Sequence, residues 1–355
     1  MNTLKKIGLT ALATSMVASS AAYSADAVVS GSFGYTFATE GGNTGGDSRG
    51  IGMRNKLNFN FSGEMDNGWS VSANTALLPG NFATSSQSLY MTMGSMGSVV
   101  VGNGWGGIGA GFDAVTPTAY EEAHDGFATA STLDSMGTGI DNGNIVYYSP
   151  SFDLGGMTVS AEYEYAPRAN DTYVSDGATA GASATYASGE GLAVRVSGMG
   201  ISAGAYANEV DRQATTSTTD SDATDMTYFV NYTMGSVSLG YQKGYIDRGN
   251  SSATTALTTA KTVAASAGFF EAEQMSIAFN VNDNLTVSYT DQTDTYDAQS
   301  SSVTADVDMD TDSINIAYTV GSMSIAIVDS SQDNVGWDSD AGSASRQELS
   351  VRLAF

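Results

Sequence analysis

Ser98-Val-Val-Val-Gly-Asn103 opens the stretch that decides the fold, and Asn144-Ile-Val-Tyr-Tyr148 closes it. Both runs are typical of β-strands, whereas residues 104–143 between them show no strand period. A connection of this length without regular structure is uncommon in a compact domain and usually has a function. It carries apolar residues that can pack beside ionisable ones: Trp105, Phe112, Phe127 and Leu133 beside Asp113, Glu121, Glu122, His124, Asp125 and Asp134. The pattern predicts a loop that folds against another part of the chain and brings carboxylates to a defined place.

The composition favours an all-β protein. The chain has 355 residues, with 41 Gly, four Pro and 10% aromatic residues, and such an aromatic content argues against disorder. No cysteine is present, which excludes disulfide scaffolds and thiolate metal sites. The net charge is −25 and the basic residues form no patch, so nucleic acid is not expected as a partner. A soluble all-β protein stays possible, although a chain of this length would normally divide into two such domains.

Residues 1–24 have the features of a signal peptide. Lys5 and Lys6 precede the short apolar stretch 7–18, and small residues follow at 20–22, which predicts cleavage near positions 22–25. Loss of the two lysines takes the net charge of the remaining domain, residues 25–355, to −27. No later run has the eighteen or more apolar residues that a membrane-spanning helix needs. If the exported chain enters a membrane, it must therefore do so as a closed β-barrel.

Apolar and polar residues alternate cleanly along most of the candidate strands. The second of them shows the pattern well, with Leu57, Phe59 and Phe61 alternating with Lys56, Asn58 and Asn60. Alternation of this kind gives a strand one apolar face and one polar face. In a soluble sandwich the polar face meets outer water, whereas in a membrane barrel the apolar face meets lipid and the polar face lines the lumen. The alternation alone does not choose between them.

The connections favour the barrel. Short turns rich in Gly and Asn are predicted at 64–68, 93–98, 188–191, 234–236, 281–284 and 320–323. Long polar connections are predicted at 39–50, 168–176, 211–223, 248–267, 295–306 and 332–343. Outer-membrane barrels have short periplasmic turns and longer outer loops, and a soluble sandwich has no need of that alternation. The segments add up to a transmembrane antiparallel β-barrel of sixteen strands, which includes strands beginning near Ala178 and Leu192.

Three segments resemble those of the Gram-negative general porins. The run from Asn144 through Ser149-Pro150 to Phe152, followed by residues 156–161, resembles the segment after the third loop in that family. Residues 89–94 and 97–102 are similar to the hairpin that precedes the loop. The terminal run 349–355 is similar to the family's barrel-assembly signal, whose alternating apolar residues correspond to Val351, Leu353 and Phe355. The resemblance extends over the whole mature chain.

The resemblance implies a homotrimeric porin in the outer membrane of a Gram-negative bacterium, through which small hydrophilic solutes and ions diffuse passively. It also implies that the long third loop folds into the lumen and forms a constriction in which carboxylates face basic side chains. The candidates on the basic side are Arg54, Lys56 and Arg195, and those on the acidic loop are Asp113, Glu121, Glu122, Asp125 and Asp134. Opposed charges across a narrow aqueous gap order dipolar solutes and set ion preference. The alternative is that Arg54 and Lys56 line only the vestibule.

The expected partners are outer-membrane lipid, lipopolysaccharide and the barrel-assembly machinery. The acidic outer loops predict a mild cation preference. A substrate-specific channel is the main alternative, although neither rows of basic residues nor aromatic ladders are evident. An outer-membrane enzyme or a secreted adhesin fits less well, because no catalytic constellation surrounds His124, the only histidine. We therefore expect a channel and not an enzyme.

No cofactor is expected, with one weak candidate for a metal site. Asp308, Asp310 and Asp312 share a face with Ile314 and Ile316, which predicts that they point outward above the lipid. There Ca2+ or Mg2+ could link them to lipopolysaccharide. The alternative is a solvated acidic rim without a bound ion.

Overall fold

The computed structural model describes residues 26–42, 48–77, 84–169 without 138 and 141, 186–212, 221–249, 268–297, and 307–355 without 339. The predicted signal peptide, the strand start near Ala178 and the central parts of most of the long connections lie outside these residues. Of the helices in the described part, none has the length and apolar character needed to cross a membrane.

Seventeen strands make up most of the described chain. They are β1 (Asp26–Gly42), β2 (Ser48–Glu64), β3 (Ser70–Leu77), β4 (Thr84–Thr92), β5 (Ser98–Asn103), β6 (Asn144–Tyr148), β7 (Phe152–Asp153), β8 (Thr158–Ala166), β9 (Tyr186–Gly198), β10 (Ile201–Arg212), β11 (Ala223–Met234), β12 (Val237–Asp247), β13 (Phe269–Asn282), β14 (Leu285–Asp297), β15 (Val307–Val320), β16 (Met323–Asp333) and β17 (Ala344–Ala354). The two-residue β7 pairs with β8 beyond the point where β6 does, so the two occupy one place in the sheet.

The sheet closes into a barrel. Each strand pairs antiparallel with its neighbours along the chain, and β1 pairs with both β2 and β17. With β6 and β7 counted together, the predicted sixteen-stranded antiparallel barrel is confirmed. Closure matters because a closed sheet leaves no edge strand with unpaired backbone groups, which is the condition for a sheet to span a membrane.

The two faces of the barrel differ in polarity. Along β15, Ile314, Ile316 and Tyr318 are exposed, whereas the intervening Ser313 and Asn315 are buried. The same alternation continues around the barrel, so large apolar side chains point outward on most strands. Exposed apolar surface of this extent is costly in water and is suited to lipid. The polar face points to the inside of the barrel, and its burial on many strands means that other residues cover it.

One predicted turn and one predicted strand boundary are wrong. Residues 188–191 were expected to form a turn before a strand beginning at Leu192, but they lie inside β9. The turn comes later, at Met199 and Gly200, both of which have positive φ. Glycines signal turns because they tolerate positive φ, but they also permit close approach of other groups. Gly191 serves the second purpose, since a Cβ there would lie 2.7 Å from Glu164 Oε1.

The carboxyl terminus completes the seam between the first and last strands. Gly31 N donates a hydrogen bond to Phe355 O at 2.8 Å, and Phe355 N donates to Gly31 O at 3.0 Å. The pairing register places Val351 opposite Tyr35 and Leu353 opposite Phe33. The apolar residues of the terminal strand therefore share the outward face with the aromatic residues of β1.

Candidate functional site

The described residues of 104–143, a segment that we call loop L3, contact the polar face of the strands. In its first half, Ile108 N donates to Glu164 Oε2 at 2.8 Å on β8, and Val115 N donates to Gln242 Oε1 at 2.7 Å on β12. Further along, Ala119 N donates to Ser288 Oγ at 2.8 Å on β14. The three contacts follow one another around the barrel, from β8 to β12 to β14. The first half of L3 therefore runs along the polar face of these strands, which we call the wall.

The second half of L3 returns along the same wall. Gln332 Nε2 on β16 donates to Thr129 O at 3.2 Å, and Thr132 N donates to Asp294 Oδ1 at 2.7 Å on β14. Gly137 N then donates to Asp225 Oδ2 at 3.0 Å on β11. Buried polar groups need hydrogen-bond partners. Many of the wall side chains next to L3 have backbone groups of the loop as their hydrogen-bond partners.

Apolar packing holds the base of the loop. Phe112 stacks on Tyr206 with ring centroids 5.4 Å apart, and Arg195 also lies over the Phe112 ring, with its Cζ 4.0 Å from the ring centroid. The two halves of L3 also touch, because a Cβ on Gly109 would lie 2.5 Å from Gly137 Cα. Backbone this close leaves room only for glycine. The loop is thus fixed both to the wall and to itself.

Opposite charges meet at the far tip of the loop. Arg346 Nη1 on β17 donates to Glu121 Oε1 at 2.6 Å and to Asp125 O at 2.8 Å, while its other terminal nitrogen contacts Glu348. Burial raises the pKa of Glu121 to about 7, and the Arg346 guanidinium opposes that increase. A space of about 180 Å³ adjoins these groups. It is lined by, among others, Arg54, Tyr120, Glu121, Asp125, Arg346 and Arg352.

The predicted basic residues do not form a single cluster. Arg54 lines the space at the tip of L3, whereas Lys56, two residues along β2, is exposed and does not line it. Arg195 lies on β9, where its Nε donates to Glu162 Oε1 at 2.8 Å and its Nη2 donates to Gly111 O at 3.0 Å. Arg195 therefore supports the base of the loop.

The predicted acidic residues fall into two groups. Glu121 and Asp125 line the space that Arg54 also lines. Asp113, Glu122 and Asp134 form another group, with one carboxylate oxygen of each within 4.8 Å of the others. Burial and the neighbouring carboxylates raise the pKa of Asp113, and burial is the main cause of the raised pKa of Glu122.

Sequence reasoning missed two basic residues of this site. Arg346 and Arg352 lie on the last strand, and both contact the tip of L3. Arg346 donates a hydrogen bond to Glu121, and the Cζ atom of Arg352 lies 5.7 Å from the centroid of the Tyr120 ring. The signal was available, because both alternate with the outward Leu349 and Leu353 and therefore share the polar face.

The outer aspartates lie on the exposed face of β15, as their parity predicts. Thr295 Oγ1 donates to Asp308 Oδ1 at 2.6 Å, Thr293 Oγ1 donates to Asp310 Oδ1 at 2.8 Å, and the Tyr289 hydroxyl donates to Asp312. Among the described residues, no group of three potential metal ligands includes them. A cation at this rim stays a prediction.

A closed sixteen-stranded antiparallel barrel with an apolar outer face defines a class, the multi-pass β-barrel proteins of the outer membrane. Within that class, a family model described as Gram-negative porin matches residues 8–352, so the chain belongs to the Gram-negative porin family. The protein is accordingly an outer-membrane channel and not an enzyme.

Solved structures agree with this assignment at the level of the fold. Salmonella typhi OmpF in complex with daunomycin has a TM-score of 0.66 at 12% identity, over 92% of this chain and 97% of that one. The outer membrane channel DcaP of Acinetobacter baumannii has a TM-score of 0.60 at 15% identity, over 93% and 97%. The trimer form of Vibrio cholerae OmpT has a TM-score of 0.57 at 13% identity, over 93% and 99%. No curated protein matches the chain.

Proposed function

We propose that this protein is a non-specific porin with a mild cation preference, and that L3 folds into the lumen and narrows it. The observation that carries the proposal is the space of about 180 Å³ at the loop tip, which Arg54 of β2 shares with Glu121 and Asp125 of L3. The hydrogen bonds of L3 to the polar face of β8, β12, β14 and β16 support an inward course, since the opposite face carries the exposed apolar side chains.

The arrangement of charges explains why such a channel would accept many solutes. Fixed carboxylates and guanidinium groups on opposite sides of water create a transverse field, which orients any dipolar molecule without recognising its identity. Asn58, Asn60 and Asn74 on β2 and β3 are neutral polar residues and are partly exposed. Passage would then depend on size and charge. The net charge of −25 raises the local concentration of cations and favours their entry.

Two measurements on the purified protein test this proposal. In planar bilayers under a salt gradient, we expect conductance that rises with bulk salt without saturating and a modest cation preference. In liposome swelling, we expect the rates for neutral sugars to fall steadily with molecular size. A saturable conductance, or one solute that passes far faster than others of its size, would favour the substrate-specific alternative and contradict the proposal.

The mature form is proposed to be a homotrimer of residues 25–355, after removal of the signal peptide 1–24. Its terminal residues Val351, Leu353 and Phe355 would serve as the signal to the barrel-assembly machinery, and lipid and lipopolysaccharide would surround the barrel. The similarity to a trimer form of OmpT supports the oligomeric state. Intact-mass measurement of the exported chain would locate the cleavage site. Native mass spectrometry would give the number of chains, and a monomer would contradict the trimer.

A further inference from the structure

His124 carries an unexplained buried nitrogen. It is the only histidine in the chain, and its residue is 3% exposed. Its Nε2 atom is buried and has no hydrogen-bond partner, yet it lies 3.3 Å from Glu122 Oε2. A buried polar atom without a partner costs free energy. The atom therefore calls for a ligand or a proton.

The neighbouring residues fix which nitrogen of the ring carries the proton. Gln292 Nε2 donates to Asp294 Oδ2 at 2.5 Å, which turns the amide oxygen of Gln292 toward His124 Nδ1 at 3.4 Å. Since an amide oxygen only accepts, Nδ1 must be the donor in that contact. The lone pair of Nε2 then faces a carboxylate, which is also an acceptor. Two acceptors at 3.3 Å need a proton or a metal ion between them, and the proton could be carried either by the ring or by the Glu122 carboxyl.

The surrounding charge favours a metal ion over a proton. His124, Glu122 and Asp125 each offer a ligand atom within 4.8 Å of the other two, and Glu122 also belongs to a group with Asp113 and Asp134, whose carboxylate oxygens lie within 4.8 Å of one another. Asp113 Oδ1 is likewise buried without a hydrogen-bond partner. In the part of the chain that the structure describes, no lysine or arginine forms an ion pair with these three carboxylates. One ring proton supplies a single positive charge to this acidic group, whereas a divalent ion supplies two.

The spacing also suits one ion. Ligands that bind Zn2+ at about 2.1 Å in tetrahedral or octahedral geometry lie roughly 3.0–3.4 Å apart. The distance of 3.3 Å between His124 Nε2 and Glu122 Oε2 falls in that range. A metal-bound histidine usually donates its other ring N–H to an acceptor that holds the tautomer. Gln292 occupies that place.

We propose that L3 contains a binding site for a divalent transition-metal ion, with His124 Nε2, Glu122 and Asp125 as its ligands and with Asp113 and Asp134 adjoining it through Glu122. Imidazole together with carboxylates selects first-row transition metals, whereas Mg2+ and Ca2+ prefer sites built of oxygen alone. Asp125 also accepts a hydrogen bond from Arg346 through its backbone oxygen, so the site would lie next to the ion pair of Arg346 and Glu121 and would help to fix the tip of the loop. It requires only the described fold of L3, so it does not depend on the non-specific transport proposed above.

The single histidine makes the test direct. The full chain would be purified in detergent without a histidine tag, stripped with EDTA, labelled with 15N-histidine and titrated with Zn2+. We expect one imidazole signal whose Nε2 resonance shifts on saturation at one Zn2+ per chain, while Nδ1 keeps its proton. His124→Gln should abolish the calorimetric Zn2+ binding. Glu122→Gln, which keeps the histidine, should weaken it by at least the ~10–100-fold seen when a supporting partner is lost.

A matched control is available on the outer surface. Glu209, Asp211 and Asp222 form a third group of carboxylates within 4.8 Å, exposed and without histidine. Glu209→Gln makes the same charge change as Glu122→Gln and should leave Zn2+ binding unaltered. The heat-dependent gel mobility of each variant would verify that the barrel is folded.

Three results would overturn the site. The imidazole signal of the stripped protein could be doubly protonated at neutral pH and unmoved by Zn2+, which would assign the buried nitrogen to an ion pair. Zn2+ affinity could be unchanged by His124→Gln. Glu209→Gln could weaken binding as much as Glu122→Gln does, which would indicate general binding to acidic surface. None of these three results would alter the bilayer conductance or the liposome-swelling rates that test the porin proposal. A failure of the metal site can therefore be distinguished from a failure of the porin proposal.

Discussion

The inner face of the barrel has two parts that share one sequence pattern and differ in environment. From β8 to β17, many polar side chains under L3 are inaccessible to solvent, among them Glu164, Gln242 and Asn315. On β2, the equivalent Arg54 and Lys56 are exposed. We call these the covered wall and the free wall. The alternation of polar and apolar residues produces both the covered wall and the free wall. The position of L3 determines which of their polar groups are buried and must therefore have partners within the protein.

The difference shows in residue type. The covered wall uses amides and carboxylates, such as Gln242 and Asp294, whose atoms reach backbone N–H and C=O groups of L3. The free wall uses charged and amide side chains that water can satisfy. The same polar face is therefore buried like a protein core on β8 to β17 and open to solvent on β2.

The largest effect is expected at the seam where the two walls join. Deleting Phe355 removes the two backbone hydrogen bonds to Gly31 and the terminal aromatic residue, so most of the assembled barrel should be lost while export continues. The measurement is the amount of heat-modifiable protein in the outer membrane beside the total exported chain. Phe355→Tyr keeps an aromatic terminus and should behave like the wild type. Wild-type amounts of assembled protein in the deletion would contradict the prediction.

The next effect concerns the covered wall alone. Gly109→Val places side-chain atoms against the backbone of Gly137, and overpacking of this kind typically costs about 1–3 kcal/mol. We expect the base of L3 to loosen, so that single-channel conductance rises and becomes more variable. Limited proteolysis should also cut within 104–143 more quickly. Gly63→Val is the matched control, since a Cβ at that position of β2 meets nothing within 4 Å. Equal conductance and equal protease resistance in the two variants would show that the close approach does not hold the loop.

Local pattern was sufficient to predict the barrel. The alternation of β15 placed Asp308, Asp310 and Asp312 on the outward face with Ile314, because the side-chain period of a strand is two. The strand count of sixteen was also right, although the boundary between β9 and β10 was not. Short-range rules succeed here because a membrane barrel repeats one requirement, an apolar outer face and a polar inner one, on every strand.

The details of the site were not accessible in the same way. The glycines of β9 resemble a turn in sequence, and only the presence of Glu164 and Ile140 beside them shows that they provide space. The pairing of Glu121 with Arg346 joins residues 225 positions apart. Sequence alone identifies both as charged and both as candidates for the inner face. Which carboxylate meets which cation depends on the path of L3, and no local pattern encodes that path.

The third prediction tests the free wall. Replacing Arg54 and Lys56 together by serine removes volume and positive charge opposite the tip of L3, so conductance should rise and cation preference should increase. Arg54→Ser alone should give most of the change, because only Arg54 lines the space shared with Glu121. Arg195→Ser removes the same charge from the covered wall and should change conductance far less. Unchanged conductance in the double variant would place both residues in the vestibule and outside the constriction.

The smallest effect is a dependence on salt that separates the outer surface from the proposed constriction. The screening length is about 10 Å at 0.1 M ionic strength and about 3 Å at 1 M, so the field of distant surface carboxylates should vanish at high salt. Charges at the loop tip lie much closer together, with Arg346 Nη1 and Glu121 Oε1 separated by 2.6 Å, and are screened less. Reversal potentials of the wild type should therefore show a cation preference that weakens with salt to a small residual value. The cation preference that remains at high salt should be larger in Arg54→Ser, because this variant lacks one positive charge of the free wall. In Glu209→Gln, which changes the outer surface, it should equal that of the wild type. An anion preference of the wild type at low salt would contradict the prediction.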